Sequence, residues 1–164
     1  MMSFALPVVL LARVRLLFDQ AVSAVAAACV IDGKLDATRL DQQQFVSYEI
    51  ALAGADLLAA ETLVADREEL GELDRGLAFL FVADAITAVL GRLETIFLET
   101  GLALDELHAL AGGTDLAAFR RSAASAAAQT TVGKAPTPIP KLGTCGSRRR
   151  WQWPGTPSGD LRRM

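Results

Sequence analysis

"DRGLAFLFVADAITAVLGRLETIFLET", residues 74–100, decides the fold class. Phe79, Val82, Ile86, Val89, Leu93 and Ile96 recur in steps of three and four. That rhythm keeps them on one face of an α-helix, with Leu90 and Phe97 beside them. A strand would put neighbouring members of this set on opposite faces. The stretch therefore predicts a helix from about Asp74 to Thr100, stopped at Gly101. Gly76 and Gly91 are tolerated inside it, and Gly91 is expected to mark a close contact between helices.

Outward from this segment the same rhythm recurs twice. Leu10, Val14, Leu17, Ala21, Ala24, Ala28 and Ile31 form one stripe, beginning near Pro7, a residue suited to a first helical turn. "DGK" at 32–34 ends it, with Gly33 free to adopt a left-handed terminal conformation. A second helix is expected to open at Asp36, a good N-cap. Its stripe is Val46, Ile50, Ala53, Leu57, Ala60 and Val64, widened by Phe45 and Leu52. Ala53 and Ala60 allow a neighbouring helix to approach closely. Glu49, Asp56 and Glu61 fall off the stripe and are expected to face water. The acidic run 66–74 reads as a solvated connection. A short helix, "LDELHAL", and a last one opening at Thr114 or Asp115, with Leu116, Phe119, Ala123 and Ala126, complete the body. No segment has strand periodicity.

The expected fold is all-α: three long antiparallel helices plus one or two shorter ones, with a disordered C-terminal tail. Short connections force the antiparallel order, and the four–three spacing favours shallow, left-handed crossings. The boundaries are a bundle over 1–131, a Pro-rich linker over 132–143 and a basic tail over 144–164. Alternate prolines in "VGKAPTPIPKLG" favour extended chain there.

Charge is divided unevenly. Of 164 residues, 1–143 carry 11 Lys and Arg against 18 Asp and Glu, whereas 144–164 carry 5 Arg against Asp160. The acidic body is a poor match for nucleic acid. Cys29 reads as a small buried apolar residue, and Cys145 lies in the tail. Two cysteines make no disulfide framework, so the cytoplasm is the expected compartment. "FALPVVLLARVRLLF" is interrupted by Arg13 and Arg15, and no membrane span or signal peptide is expected. "AVAAAC" has the small residues of a lipoprotein cleavage site, but Asp19 and the upstream arginines argue against one.

Catalytic side chains are scarce. His108 is the one histidine; beside Asp105 and Glu106 on a short amphipathic helix, it reads as a solvated surface residue. A carboxylate-bridged di-metal site needs two Glu-x-x-His motifs, and "DELH" is one imperfect match. "GGTDL" places two glycines before a helix start, which reads as a turn and an N-cap. No catalytic, cofactor-binding or metal-binding residue is assigned.

The tail, "GTCGSRRRWQWPGTPSGDLRRM" (143–164), holds both tryptophans and lacks Ala, Val, Ile, Glu and Lys. Such an abrupt change is what a GC-rich gene gives when read in a shifted frame after codon 143. The alternative is a basic arm in which Arg and Trp attract phosphate and stack on bases. On the first reading the tail is dispensable, and its deletion leaves the thermal midpoint almost unchanged.

"DGKLDATRLDQQQFVSYEIALAGADLLAAETLVA" (32–65), "GLAFLFVADAITAVLGRLETIFL" (76–98) and the Pro-rich linker together resemble the helical N-terminal extension of bacterial acyl-CoA dehydrogenases of the methylsuccinyl-CoA dehydrogenase type. The markers are Gly33, Leu35, Asp36, Leu40, Gln44 and "YEIALAGADL" (48–57), and the resemblance spans roughly 8–143. It implies a flavin enzyme: a glutamate removes the α-proton of an acyl-CoA thioester and FAD accepts the β-hydride. The family's glutamate, FAD site and CoA site lie in the body that comes after the linker, so Glu49, Glu61 and Glu94 match none of them. The resemblance thus implies a truncated, inactive accessory region with no cofactor of its own, FAD belonging to the full-length family. Its partner would be a dehydrogenase body or another copy of itself. The other two readings are a stand-alone interaction or oligomerisation module, and nucleic-acid binding through the tail.

Overall fold

A computed structural model describes residues 3–123, together with 130, 133 and 134. Its described elements run α1 (Ala5–Ala28), β1 (Val30–Ile31), β2 (Lys34–Leu35), α2 (Ala37–Gln42), α3 (Gln44–Ala65), α4 (Glu72–Thr100), α5 (Asp105–Ala111) and α6 (Thr114–Ala123). The fold is all-α. α1, α3 and α4 form an up–down–up bundle. Arg15 of α1 meets Glu61 of α3, and Phe18 lies against Gly54 further along, so these two helices are antiparallel. Phe4, just before α1, packs edge-on against Phe79 near the start of α4, with centroids 5.3 Å apart, so α1 and α4 run the same way.

α4 is the central helix. Phe79, Val82, Ile86, Val89, Leu90, Leu93, Ile96 and Phe97 are all buried, as their spacing predicts. Glu72 and Asp74 in its first turn complement the positive end of the helix dipole. Its other end is closed by Gly101 at φ 70°, and the Leu102 N–H returns to the Phe97 carbonyl at 3.0 Å. By length and composition α4 could also cross a membrane. Its buried side is covered by α1, α3 and the two short helices. Gly91 departs from expectation. It is exposed, and a Cβ there would meet nothing within 4 Å. The close approach is at Gly54 instead, where an added Cβ would lie 3.2 Å from Phe18 Cζ.

α1 follows its expected stripe through Leu10, Val14, Leu17 and Ala21, then leaves it. Val25 and Cys29 are buried, Ala24 is half-buried, and Ala28 and Ile31 are exposed. Seven residues fall about 20° short of two full turns in a straight helix. A strict four–three rhythm therefore walks off the contact, and steps of four bring the stripe back. The helix also ends at Ala28. A small antiparallel hairpin comes next, Val30 opposite Leu35 and Ile31 opposite Lys34, in a region expected to have no strand. Asp32 (φ 49°) and Gly33 (φ 75°) are both left-handed, as a two-residue hairpin turn requires. Gly33 thus turns a hairpin rather than capping a helix. The Asp36 N–H closes the hairpin base on the Cys29 carbonyl (2.9 Å).

Asp36 caps the next helix as expected, its side chain accepting from the Arg39 N–H at 2.9 Å. The expected single helix is two, broken at Gln43 (φ −97°, ψ 15°). In α3, Val46, Ala53, Leu57, Ala60 and Val64 are buried and Ile50 and Leu52 half-buried, but Phe45 is exposed and does not widen the core. α6 buries Leu116, Phe119 and Ala123. Phe119 meets Phe79 edge-on, with centroids 5.0 Å apart. The Lys134 N–H donates to the Thr130 carbonyl (3.1 Å), and Gly133 is helical in a segment expected to be extended from 132. Ala126, the rest of the 132–143 linker and the tail 144–164, with Cys145, Trp151 and Trp153, lie outside the described residues.

Candidate functional site

The acidic residues on α3 and α4 are the natural starting point for chemistry. Two of them, Glu49 and Glu61, expected to face water, instead join helices. Arg15 grips Glu61 with both arms of its guanidinium, Nε donating to Oε1 at 2.9 Å and Nη2 donating to Oε2. The same guanidinium lies 5.3 Å from the Phe18 ring centroid. On the opposite flank of α3, Arg92 of α4 donates from Nη1 to Glu49 Oε2 at 2.9 Å. Its Nε lies 3.9 Å from Asp56 Oδ2, too far for a hydrogen bond, and this buried nitrogen has no hydrogen-bond partner. Glu49 and Glu61 are thus struts between helices, whereas Asp56, with its side chain 37% exposed, makes only the 3.9 Å ion-pair contact.

The hydrogen bond to Glu61 raises the Arg15 pKa, against the opposing effect of burial. A raised base contributes its stabilisation at every pH below its unfolded value and loses it only as pH rises through the folded one. For an arginine that window is strongly alkaline, so Arg15 adds no pH dependence between about 5 and 9.

The Arg92 strut can be tested by substitution. Arg92→Met keeps the aliphatic stem and leaves the Glu49 side chain, 17% exposed, without its partner. The expected cost is about 1–3 kcal/mol by denaturant unfolding, between the values for exposed and fully buried pairs. Adding Glu49→Gln should recover most of it. No recovery in the double variant would show that Arg92 acts through packing alone.

His108 sits on α5 with its Nε2 3.0 Å from Glu94 Oε1, both side chains about half exposed. Water reaches both groups, and the pair sits in no enclosed cleft. Cys29 is 2% exposed at the end of α1, among apolar neighbours. Gly112 and Gly113 turn the chain from α5 into α6, packed against the carbonyls of His108, Ala109 and Leu110. Among the described residues no group of three or more His, Cys, Asp or Glu is placed to hold a metal ion.

The surface hollows are open. One of about 460 Å³ lies at the start of α1, between Ser3, Phe4 and Val8 on one side and Arg67, Glu68 and Arg75 on the other. Glu68 lies near both arginines, 3.4 Å from Arg67 and 4.0 Å from Arg75. Another runs along α1 beside α5, with Leu16 in its wall and Asp19 and Glu106 at its rim. Neither brings together a nucleophile, a base and an anion-stabilising group.

The exposed apolar side chains are more informative. On α4, Leu77 (49% exposed), Phe81 (38%) and Leu98 (65%) face outward, with Ala88 and Gly91 exposed between them. On α3, Phe45 (58%) and Tyr48 (61%) are exposed and Leu52 is half-buried. Phe45 and Leu52 each stand four residues, about 40° in helical phase, from Glu49 and Asp56, the residues that approach Arg92. They therefore stand on the flank of α3 nearest α4. The two exposed sets border one surface, which attention to core stripes alone misses. The signal was present in the sequence: α4 carries apolar residues on two faces, and one core can cover only one of them. No protein-family model and no curated protein matches this chain.

Proposed function

We propose that this protein works through protein contact and not through catalysis. In this reading it is a helical accessory region of the kind that precedes the flavin-bearing body of acyl-CoA dehydrogenases. The observation that carries the non-catalytic part is the use made of the acidic residues. Glu49 and Glu61 are engaged in struts between helices, Asp56 lies 3.9 Å from the Arg92 Nε, and Glu94 meets His108 at the exposed edge of α4. Meanwhile the outer faces of α3 and α4 present apolar surface to solvent. A protein-binding surface needs that combination, whereas a dehydrogenase needs a free base in a closed, dry pocket.

The dehydrogenase context rests on the resemblance of residues 8–143. It predicts that the purified chain carries no flavin absorbance and does not oxidise acyl-CoA thioesters. A stoichiometric yellow chromophore in the purified protein would overturn it. It also predicts that DNA downstream of codon 143, read in a shifted frame, continues into the start of a dehydrogenase body. Absence of such an open frame leaves the stand-alone interaction module as the reading. The exposed apolar face of α4 supports that module independently of any enzyme. Nucleic-acid binding would require the tail, and the described bundle offers the acidic body a poor role in it; strongly salt-dependent binding to single strands is the result that would favour it.

A further inference from the structure

We infer that two copies of this chain associate through the outer face of α4, packed antiparallel as a short coiled-coil seam. The inference goes beyond the accessory-region reading and does not depend on a dehydrogenase body. It begins with spacing. Leu77, Phe81, Asp84, Ala88, Gly91, Thr95 and Leu98 succeed one another in steps of four and three without a break. This is the same rhythm that builds the core stripe on the other side of the helix. Six of the seven are exposed and Thr95 is half-buried. A continuous four–three stripe is the pattern of a helix that meets another helix along its length. Here the described bundle supplies no such helix.

The order of residues identifies the partner. In an antiparallel pair, one helix runs down the seam as the other runs up it, so early positions face late ones. Laid against a second copy in that way, Phe81 faces Leu98 of its mate, Asp84 faces Thr95, and Ala88 faces Gly91. Each pairing then recurs with the copies exchanged, as a two-fold axis requires. Large residues meet large ones at the two ends. At the centre Ala88 and Gly91 let the backbones approach, and the open space beside Gly91 is where the mate's Ala88 fits. The Asp84 carboxylate meets the Thr95 hydroxyl instead of an apolar side chain, and the long 3.5 Å bond that this hydroxyl makes to the Gly91 carbonyl in the single chain would give way to it. A polar pair within a seam costs stability but selects one register, since any shifted alignment buries Asp84 against Ala, Gly or Leu. An unrelated partner would place no such demand for self-complementarity on this stripe.

Size is consistent with a reversible dimer. From Leu77 to Leu98 the stripe is about 32 Å long, and with the flanking α3 residues the face is about 20 Å wide. The footprint is roughly 600 Å² per copy, or about 1,200 Å² for the pair, at the lower edge for specific interfaces. Phe45, Tyr48 and Leu52 of α3 continue the apolar surface along one border.

Sedimentation equilibrium of the full chain, from about 1 to 200 µM, tests this. The expected result is a monomer–dimer equilibrium in that range. Ala88→Arg, at a position exposed in the single chain, should weaken the dimer by roughly 100-fold or more, because two cations meet near the axis. Its helical circular dichroism should be unchanged, which separates loss of association from loss of fold. Phe81→Lys and Leu98→Glu should each weaken the dimer, and the double variant should recover it, because the new charges face each other across both symmetric layers. A chain that stays monomeric throughout overturns the inference. So does a dimer indifferent to Ala88→Arg, or one that the charge pair fails to restore. None of these results bears on flavin content or the downstream reading frame, so this inference and the dehydrogenase reading stand or fall separately.

Discussion

Ile86→Ala is expected to lower unfolding stability by about 2–5 kcal/mol. Ile86 is 1% exposed, near the middle of α4, between Val82 and Val89 on a stripe that is buried throughout. Removing three of its carbons loses their transfer from water and leaves a cavity. The surrounding helices are held in register by the Arg15–Glu61 and Arg92–Glu49 struts and by the contact of Phe18 with Gly54, so collapse around the gap is limited. Denaturant unfolding monitored by circular dichroism measures the cost. Leu77→Ala on the outer face of the same helix is the control. In the isolated chain at low concentration it should cost no more than about 0.5 kcal/mol, because it is half exposed. Equal costs at the two positions would contradict the division of α4 into a core face and an outer face.

Phe119→Ala should cost about 3–5 kcal/mol. Phe119 is 1% exposed and is the largest buried side chain that α6 contributes. Its ring meets Phe79 edge-on, and Phe79 in turn meets Phe4 edge-on, so three rings join the entry to α1, the start of α4 and the middle of α6. Edge-to-face rings add to the burial term. The other buried members of α6, Leu116 and Ala123, are too small to hold a ten-residue helix in place alone. Amide exchange across Thr114–Ala123 should therefore accelerate in this variant beyond the global loss of stability. A cost under about 1 kcal/mol would show that α6 is an ornament on a bundle complete without it.

The three long helices, their stripes and several of their ends are local matters, and all are legible in residue order. Asp36 accepts from an N–H three residues on, Gly101 takes a left-handed turn, and the α4 stripe repeats every three or four residues, none of which needs a distant partner. The hairpin at 30–35 was also local in kind. "DG" flanked by Val30, Ile31 and Leu35 is a turn signal, but a ladder of two residues per strand has no periodicity to display. Other features depend on which helix lies beside which. Glu49, Asp56 and Glu61 are off the apolar stripe, as expected, but being off the stripe does not mean facing water. At the border of a helix contact, a long cation from the next helix can reach across, and Arg15 and Arg92 are on helices that residue order alone does not align with α3. The same holds for glycine. Gly54 and Gly91 are alike in sequence, yet one is packed under Phe18 and the other looks onto open space.

By itself, then, the sequence determined that this chain is helical, where its long helices run, and which face of α4 is core, because hydrogen bonding within a helix and the periodicity of apolar residues act over a few positions. Tertiary structure alone decided which acids became struts and which glycine is a contact. Those depend on how three cylinders are placed around one another, and a helix does not encode, in its own spacing, which neighbour's long side chains will reach its polar border.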